Sequence, residues 1–313
     1  MTNDPQSRSS TPVRIATRGS DLALWQARYV ADHIETDSEL VILKTQGDEI
    51  QHLTLDKVEG KGFFTKEIEG ALLNNQADVA VHSFKDLPTE EIDGLSIAAV
   101  PVRAPTRDVL VIAEGRNDPT QRWNLPQGAT VGTSSLRRKA HLLAIRPDLE
   151  LVDVRGNVPT RFNRAALGDL DAVVLAEAGL HRLGLLNPGG DSNVVIKPLP
   201  HSEMCPAPAQ GALAIQIRTD DARTGAYLKS LHDKTTAQCV HTERLLLARF
   251  GGGCHLPLGA LCSATSKGLS LQALVASPDG TERFEAQAHG SVAEEVAEQV
   301  YLALCHQGAD KYL

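Results

Sequence analysis

Features that the sequence lacks exclude several classes of protein. No run of about 18 apolar residues occurs, and a membrane-spanning helix needs that length. Aromatic residues make up only 4% of the 313 residues, so a platform that stacks sugar rings or bases is disfavoured. Neither a P-loop nor a G-x-G-x-x-G motif is present, which argues against binding of nucleoside triphosphates and dinucleotides.

Cysteine usage argues against disulfide and metal chemistry. The five cysteines form no C-x-x-C pair, so neither a disulfide framework nor a zinc ribbon is indicated, and we expect no metal site. Residues 1–12 are polar and lack the apolar core of a secretory signal, so we predict a disordered tail there. Together these features predict a cytoplasmic protein in a reducing compartment.

The charge is unevenly distributed. The net charge of −8 argues against nucleic acid as a general partner. Residues 130–164 nevertheless contain seven Lys or Arg and three acidic residues, which leaves that segment at +4. A basic segment in an acidic protein predicts a small anionic ligand.

Periodicity and proline positions predict three domains. Strands alternate with helices from residue 13 onwards, which is typical of an α/β fold with parallel pairing. Prolines interrupt the pattern at Pro101–Arg107 and again at Pro198–Pro208, and the apolar stretch Ala212–Ile217 could return to the first sheet. We predict domain 1 over 13–104 and 206–222 and domain 2 over 105–205. Domain 3, over 223–313, is predicted to be α+β with an antiparallel sheet.

Polar side chains follow the predicted strands, where ligands bind in open α/β sheets. Those of interest are Arg18, Ser20, Ser83, Lys85, Asp86, Thr133, Ser134, Ser135, Arg155, Gly156 and Arg182. A single arginine in this position is usually a solvated surface residue. Five arginines together favour a cleft that binds carboxylates or phosphates, with added N–H donors from helix N-termini at Ser20 and Ser134. The five are Arg18, Arg137, Arg138, Arg155 and Arg161.

Asp86 and Cys254 are the candidate reactive groups. A carboxylate beside a basic cleft could stabilise a developing cation or move a proton, although an aspartate two residues before Pro88 is more often a turn residue. Cys254 follows three glycines and the C-terminal, negative end of a predicted helix, which would not stabilise a thiolate. It therefore suits a permanent covalent anchor better than an activated nucleophile, and an ordinary loop cysteine is the alternative.

Ordered motifs along the chain resemble those of the porphobilinogen deaminase (hydroxymethylbilane synthase) family. The similarity runs from about Val13 to the last predicted helix, in the family's order. The segments that carry it are Arg14–Ser20, Leu22–Gln26, Gly60–Phe64, Ala80–Asp86, Val131–Arg138, Val154–Asn157, Ala178–Gly184, Gln210–Ala212 and Gly252–Cys254.

The resemblance implies a fold and an activity. The implied fold has two α/β domains with mixed sheets, similar to periplasmic binding proteins, and a smaller α+β C-terminal domain with a three-stranded antiparallel sheet. The family joins four porphobilinogen molecules head to tail, releases ammonia at each condensation and then releases hydroxymethylbilane by hydrolysis. A covalent dipyrromethane cofactor, bound through a thioether, primes the reaction. The implied partner is the small-molecule substrate, and we expect a monomer.

The resemblance also implies a role for individual residues. Asp86 matches the catalytic aspartate, Cys254 matches the cofactor-bearing cysteine, and Phe64 matches an active-site aromatic residue. The residues that match cofactor or substrate contacts are Arg18, Ser20, Ser83, Lys85, Thr133, Ser134, Ser135, Arg137, Arg138, Arg155, Gly156, Arg161 and Arg182.

Several positions depart from the family pattern without removing a catalytic group. Pro159 and Ala209 stand where glycine is expected, and Pro208 stands where valine is usual. Gln46 replaces a basic residue, and Gly251 replaces an acidic one.

Two other functions fit parts of the sequence. A non-catalytic anion-binding protein would share the sheets and the arginines, and a thiol-dependent hydrolase would use Cys254 but lacks a paired His/Asn pattern.

Overall fold

The computed structural model describes residues 11–45, 65–187, 193–252 and 256–312, and these residues form three β-sheets with helices against them. The strands are β1 (Val13–Arg18), β2 (Ser38–Leu43), β3 (Val79–Ser83), β4 (Leu95–Ala99), β5 (Asp108–Ala113), β6 (Thr130–Gly132), β7 (Glu150–Val152), β8 (Ala172–Ala176), β9 (Val194–Pro198), β10 (Leu213–Arg218), β11 (Leu258–Thr265), β12 (Gly268–Ala276) and β13 (Arg283–Gly290). The helices are α1 (Asp21–His33), α2 (Lys66–Leu73), α3 (Leu136–Leu143), α4 (Val158–Ala166), α5 (Glu177–Arg182), α6 (Ala222–Leu228), α7 (Lys234–Arg249) and α8 (Ala293–His306).

The first unit is the five-stranded sheet β2-β1-β3-β10-β4 with helices α1 and α2. Ser20 caps α1 by accepting a hydrogen bond from the Ala23 N–H, as expected for serine at a helix start. Val30 of α1 packs with the strand residue Ile15 on one face of the sheet, and Leu72 of α2 packs on the other. Strand β10 lies antiparallel between β3 and β4, which confirms that the chain returns to the first sheet.

The second unit is the sheet β7-β6-β8-β5-β9, which is also mixed because β5 runs antiparallel to its neighbours. Strand β9 had no sequence prediction. The predicted helix start at Ser134 is wrong by one residue, because Ser135 caps α3 by accepting from the Arg138 N–H. The Ser134 hydroxyl instead donates to the Val154 carbonyl at 2.8 Å and accepts from the Val154 N–H at 3.0 Å. Ser134 thus joins the loop after β6 to the loop after β7.

The third unit confirms the predicted α+β pattern. Strands β11, β12 and β13 form an antiparallel sheet in sequence order, and α7 and α8 pack against it. The fold class implied by the resemblance, two mixed α/β sheets and a small antiparallel one, is therefore confirmed. In the described part of the chain, no helix combines the length and hydrophobicity needed to cross a bilayer.

A buried ion pair joins the first and third units. Glu243 of α7 is fully buried and forms a bidentate pair with Arg103, at 2.7 and 2.9 Å. The same carboxylate accepts the N–H groups of Ala209 and Cys262, both at 2.7 Å. We call these groups the Glu243 junction. One acid meets one base there, so the charges of the junction balance.

Candidate active site

A cavity of about 90 Å³ lies at the carboxyl ends of β1 and β3 in the first unit. The polar residues that line it are Arg18, Ser20, Gln26, Thr65, His82, Ser83 and Asp86. A cavity of this volume holds only small groups, so a longer ligand must extend out of it. The structure thus brings together four residues that the sequence predicted: Arg18, Ser20, Ser83 and Asp86.

Three polar residues of this cavity, Gln26, Thr65 and His82, had no predicted role at the site. Gln26 of α1 donates from Nε2 to the Ser83 hydroxyl at 2.8 Å, which fixes the hydroxyl at the cavity wall. The His82 ring lies 3.1 Å from the Gln216 side-chain oxygen, and burial lowers its pKa to about 4. His82 is therefore neutral at pH 7. Sequence reasoning missed all three because nothing local distinguishes a residue that lines a cavity from a core residue.

Asp86 is exposed at the rim of the cavity. The segment Phe84–Asp86 forms a single turn of 3₁₀-helix directly after β3. Phe84 and Leu87 are buried on either side of the turn, so the intervening pair Lys85 and Asp86 is directed towards the edge of the sheet. Proline at 88 prevents the turn from continuing as a helix.

The second unit carries further predicted site residues on two loops, one after β6 and one after β7. Thr133 is buried, and its hydroxyl accepts from the Ser135 N–H at 3.3 Å. Gly156 has a φ of +98°, and a β-carbon there would lie 2.7 Å from the Thr160 side chain, so glycine is required. Arg155 precedes this turn and is half-buried.

Arg161 of the second unit interacts electrostatically with Asp86 of the first unit. Its Nε donates to the Gly156 carbonyl at 2.8 Å. Its pKa is lowered by burial and by the positive charges of Arg138 and Arg155, while the negative charge of Asp86 acts in the opposite direction. Arg161 of the second unit therefore lies close enough to Asp86 of the first unit for the two charges to interact.

Arg137 and Arg138, which the sequence predicted to bind carboxylates of the ligand, pair with a carboxylate of the protein itself. Both are buried against the fully buried Asp108, with Arg137 at 2.7 Å from one carboxylate oxygen and Arg138 at 2.7 Å from the other. Arg137 also donates to the Cys205 carbonyl at 2.6 Å, and Arg138 donates to the Val174 carbonyl at 2.9 Å. Their positive charges act on the cleft from inside the protein.

Arg182 links the first two units. It donates to the Gly211 carbonyl at 2.7 Å, and its guanidinium carbon lies 5.6 Å from the centre of the Trp25 ring on α1. Burial lowers its pKa to about 10. Arg182 is thus bonded to the crossing segment between the units.

Two predicted residues, Phe64 and Cys254, lie outside the described residues, as does the departure at Gln46. The other departures fit their surroundings to different degrees. Pro159 lies in the first turn of α4, where proline is compatible with a helix. Ala209 has a φ of +63°, in the left-handed region that glycine adopts without strain.

Comparison with known proteins assigns the family. Residues 13–226 match the family described as "Porphobilinogen deaminase, dipyromethane cofactor binding domain", and residues 237–305 match "Porphobilinogen deaminase, C-terminal domain". The porphobilinogen deaminase of Xanthomonas oryzae pv. oryzae is 44% identical over 97% of this chain and 99% of its own length. That of Brevibacillus brevis is 42% identical over 96% of both chains. The chain belongs to the porphobilinogen deaminase family.

Solved structures with a related arrangement are more distant. The periplasmic VFT2 domain of BvgS from Bordetella pertussis aligns over 70% of this chain and 86% of its own, with 16% identity and a TM-score of 0.40. An ancestral arginine-binding protein aligns over 70% of this chain and 89% of its own, with 13% identity and a TM-score of 0.37.

The site of this porphobilinogen deaminase family member fits a dipyrromethane cofactor. Lys85 of the first unit and three arginines of the second unit, Arg138, Arg155 and Arg161, bring positive charge to the cleft beside the Asp86 carboxylate. A ligand with two carboxylates on each ring needs this surplus of cations. The matched domain is, by its description, the one that binds the cofactor.

Proposed function

We propose that this chain condenses four porphobilinogen molecules head to tail, with release of ammonia at each step and of hydroxymethylbilane at the end. The observation that carries the proposal is that Arg161 of the second unit interacts electrostatically with Asp86 of the first unit and with Arg138 and Arg155 of its own unit. An acid that faces several buried or half-buried arginines suits a reaction in which a multiply anionic substrate develops a positive charge.

The proposed roles follow from the site. Asp86 is the catalytic residue, and Cys254 is the point of cofactor attachment. The residues proposed to contact cofactor or substrate, directly or through their charge, are Arg18, Ser20, Phe64, Ser83, Lys85, Thr133, Ser134, Ser135, Arg137, Arg138, Arg155, Gly156, Arg161 and Arg182. When bound, the dipyrromethane supplies a pyrrole carbon nucleophile as the primer.

The reaction requires the chain's own residues to stabilise a cation and to hold the carboxylates of the substrate. Departure of ammonia from the aminomethyl group of porphobilinogen leaves a cation on the substrate. The Asp86 carboxylate, at the rim of the cavity, can stabilise that cation and later accept the proton that leaves the pyrrole carbon after this carbon has formed the new bond. The arginines hold the acetate and propionate groups so that each incoming ring reaches the same position.

We also propose the domain boundaries, the oligomeric state and the cellular location. The three sheets are consistent with domain 1 at 13–104 and 206–222, domain 2 at 105–205 and domain 3 at 223–313. We further propose a monomer in the cytoplasm. The buried free thiols of Cys205, Cys239 and Cys262 suit a reducing compartment, and light scattering would measure the oligomeric state.

The experiment that tests the function compares Asp86→Asn with Asp93→Asn. Asp93 is an exposed carboxylate in the connection after the same strand and serves as the matched control. We expect Asp86→Asn to lower the rate of porphobilinogen consumption and ammonia release by about 10²- to 10⁴-fold while the unfolding temperature stays the same. Asp93→Asn should retain the activity of the parent. A parent protein that binds porphobilinogen without releasing ammonia would contradict the proposed function.

A further inference from the structure

We propose that Asp108 is a positioning residue for the cations of the cleft. Its carboxylate fixes the positions of Arg137 and Arg138 in the second unit and, through Gln210, that of Lys85 in the first unit. The proposal rests on the proposed function, because the groups that Asp108 would position are those proposed to bind the cofactor. Asp108 itself is too deeply buried to contact a ligand.

The carboxylate of Asp108 accepts hydrogen bonds from three side chains. It begins β5 and is fully buried. One oxygen accepts Arg137 Nη2 at 2.7 Å, and the other accepts Arg138 Nη2 at 2.7 Å and Gln210 Nε2 at 3.0 Å. Both arginines hold its pKa well below the usual range despite burial. A buried ion pair of this kind is tolerated only where the geometry is good, so the two guanidinium groups have little freedom to move.

Gln210 extends this control to the first unit. Because a carboxylate only accepts hydrogen bonds, Gln210 must direct its NH₂ group to Asp108, and the same group also donates to the Thr106 carbonyl at 2.8 Å. The side-chain oxygen of Gln210 is then left to face Lys85, whose Nζ lies 3.5 Å away. The orientation of one amide therefore couples Asp108 to the ammonium group next to the catalytic Asp86.

The charges around Lys85 make this coupling measurable. Burial lowers the pKa of Lys85, Asp86 and Asp108 raise it, and Arg138 and Arg137 lower it. In this cluster three cations, Lys85, Arg137 and Arg138, meet the single buried carboxylate of Asp108. If that negative charge is removed, the balance shifts towards deprotonation of Lys85. A role in packing alone would leave this titration unchanged.

The test follows the loading of the cofactor by the mass of the denatured protein. The parent, Asp108→Asn and a control are produced in cells that cannot make porphobilinogen, and porphobilinogen is then added at several pH values. Asp148→Asn is the matched control, since Asp148 forms a bidentate pair with Arg146 in the same unit, outside the cluster. Asparagine keeps the shape of aspartate and removes its charge.

We expect Asp108→Asn to gain mass about 10- to 100-fold more slowly than the parent, because small misplacements of binding groups have effects of that size. We also expect the alkaline limb of its rate-against-pH profile to lie at lower pH, because Lys85 loses its proton more easily. Asp148→Asn should load at the parental rate with the parental profile. A folded Asp108→Asn protein with parental rate and profile would overturn the proposal.

Gln210→Met covers the case in which Asp108→Asn does not fold. Methionine has a similar volume, leaves both arginine–aspartate pairs in place and removes the acceptor that faces Lys85. We expect its alkaline limb to move to lower pH as well, and a parental profile would overturn the proposal. Failure of the proposed function itself is distinguishable, because the parent protein would then gain no mass from porphobilinogen.

Discussion

Two buried carboxylates hold the units together, and their surroundings differ in charge. Glu243 meets one arginine and two backbone N–H groups, so the Glu243 junction is electrically balanced. Asp108 meets two arginines and an amide that leads to Lys85, so its cluster retains a surplus of positive charge. The Glu243 carboxylate therefore completes a structural contact, whereas the Asp108 carboxylate supports a group of cations that attracts anions.

The largest expected effect comes from breaking the balanced junction. Glu243→Gln leaves Arg103 buried without its counter-charge, which typically costs about 3–5 kcal/mol of unfolding free energy. The matched control is Glu298→Gln, because Glu298 pairs with Arg249 at an exposed position. That variant should change the unfolding free energy by less than about 1 kcal/mol. Urea unfolding measures both, and equal losses would remove the distinction between the junction and a surface pair.

A histidine beside the positive cluster sharpens the comparison through acid stability. His141 of α3 is fully buried, and burial together with the charges of Arg137 and Arg283 lowers its pKa to about 3. The unfolded chain takes up a proton below about pH 6.5 and the folded chain does not, so stability falls as the pH drops from 6.5 towards 3. Between pH 7 and pH 4.5, the parent should therefore lose about 2–3 kcal/mol more unfolding free energy than His141→Leu, since each pKa unit corresponds to roughly 1.4 kcal/mol.

Unfolding curves of the parent and His141→Leu at pH 7 and pH 4.5 measure that difference. If the two proteins lose stability equally, His141 does not stay neutral in the folded state.

Substrate binding tests whether Arg161 holds a carboxylate of the substrate. Arg161→Lys keeps the charge but loses the planar fork that binds a carboxylate through two hydrogen bonds. We expect the KM for porphobilinogen to rise by about tenfold, consistent with roughly 1.5 kcal/mol for one charged hydrogen bond. Arg164→Lys, on the same helix and paired with the exposed Asp169, should leave KM unchanged. Equal effects of the two variants would place carboxylate binding elsewhere.

The smallest effect probes the backbone of the Glu243 junction. Ala209 adopts a φ of +63° and donates its N–H to Glu243. Ala209→Gly should raise the unfolding free energy by up to about 1 kcal/mol, since the relief of left-handed strain exceeds the entropy cost of glycine. Ala212→Gly, at a buried neighbour outside the left-handed region, should lower it. A loss of stability in both variants would show that Ala209 is not strained.

Sequence patterns predicted the elements better than they predicted the partners of the charged side chains. The apolar stretch Ala212–Ile217 was predicted to return to the first sheet, and it does so as β10 with bounds shifted by one residue, because an uninterrupted apolar run leaves little ambiguity. Strand β9 was missed because it is short and ends at a proline, which suggests a loop.

The pairing of Arg137 and Arg138 with Asp108 joins positions about 30 residues apart, and no local pattern encodes such a contact. One signal could have indicated it. Asp108 is a charged residue at the start of an otherwise apolar, buried strand, and a buried carboxylate requires a buried cation.

The central claim, that this chain carries a covalent dipyrromethane primer on Cys254, is tested most directly by the mass of the purified, denatured protein. The parent is compared with Cys254→Ser and with Cys305→Ser, in which a half-buried cysteine of α8 is changed. We expect an excess of two pyrrole units on the parent and on Cys305→Ser, and none on Cys254→Ser. A parent without the excess that also gains no mass from added porphobilinogen would contradict it, as would an excess that persists in Cys254→Ser.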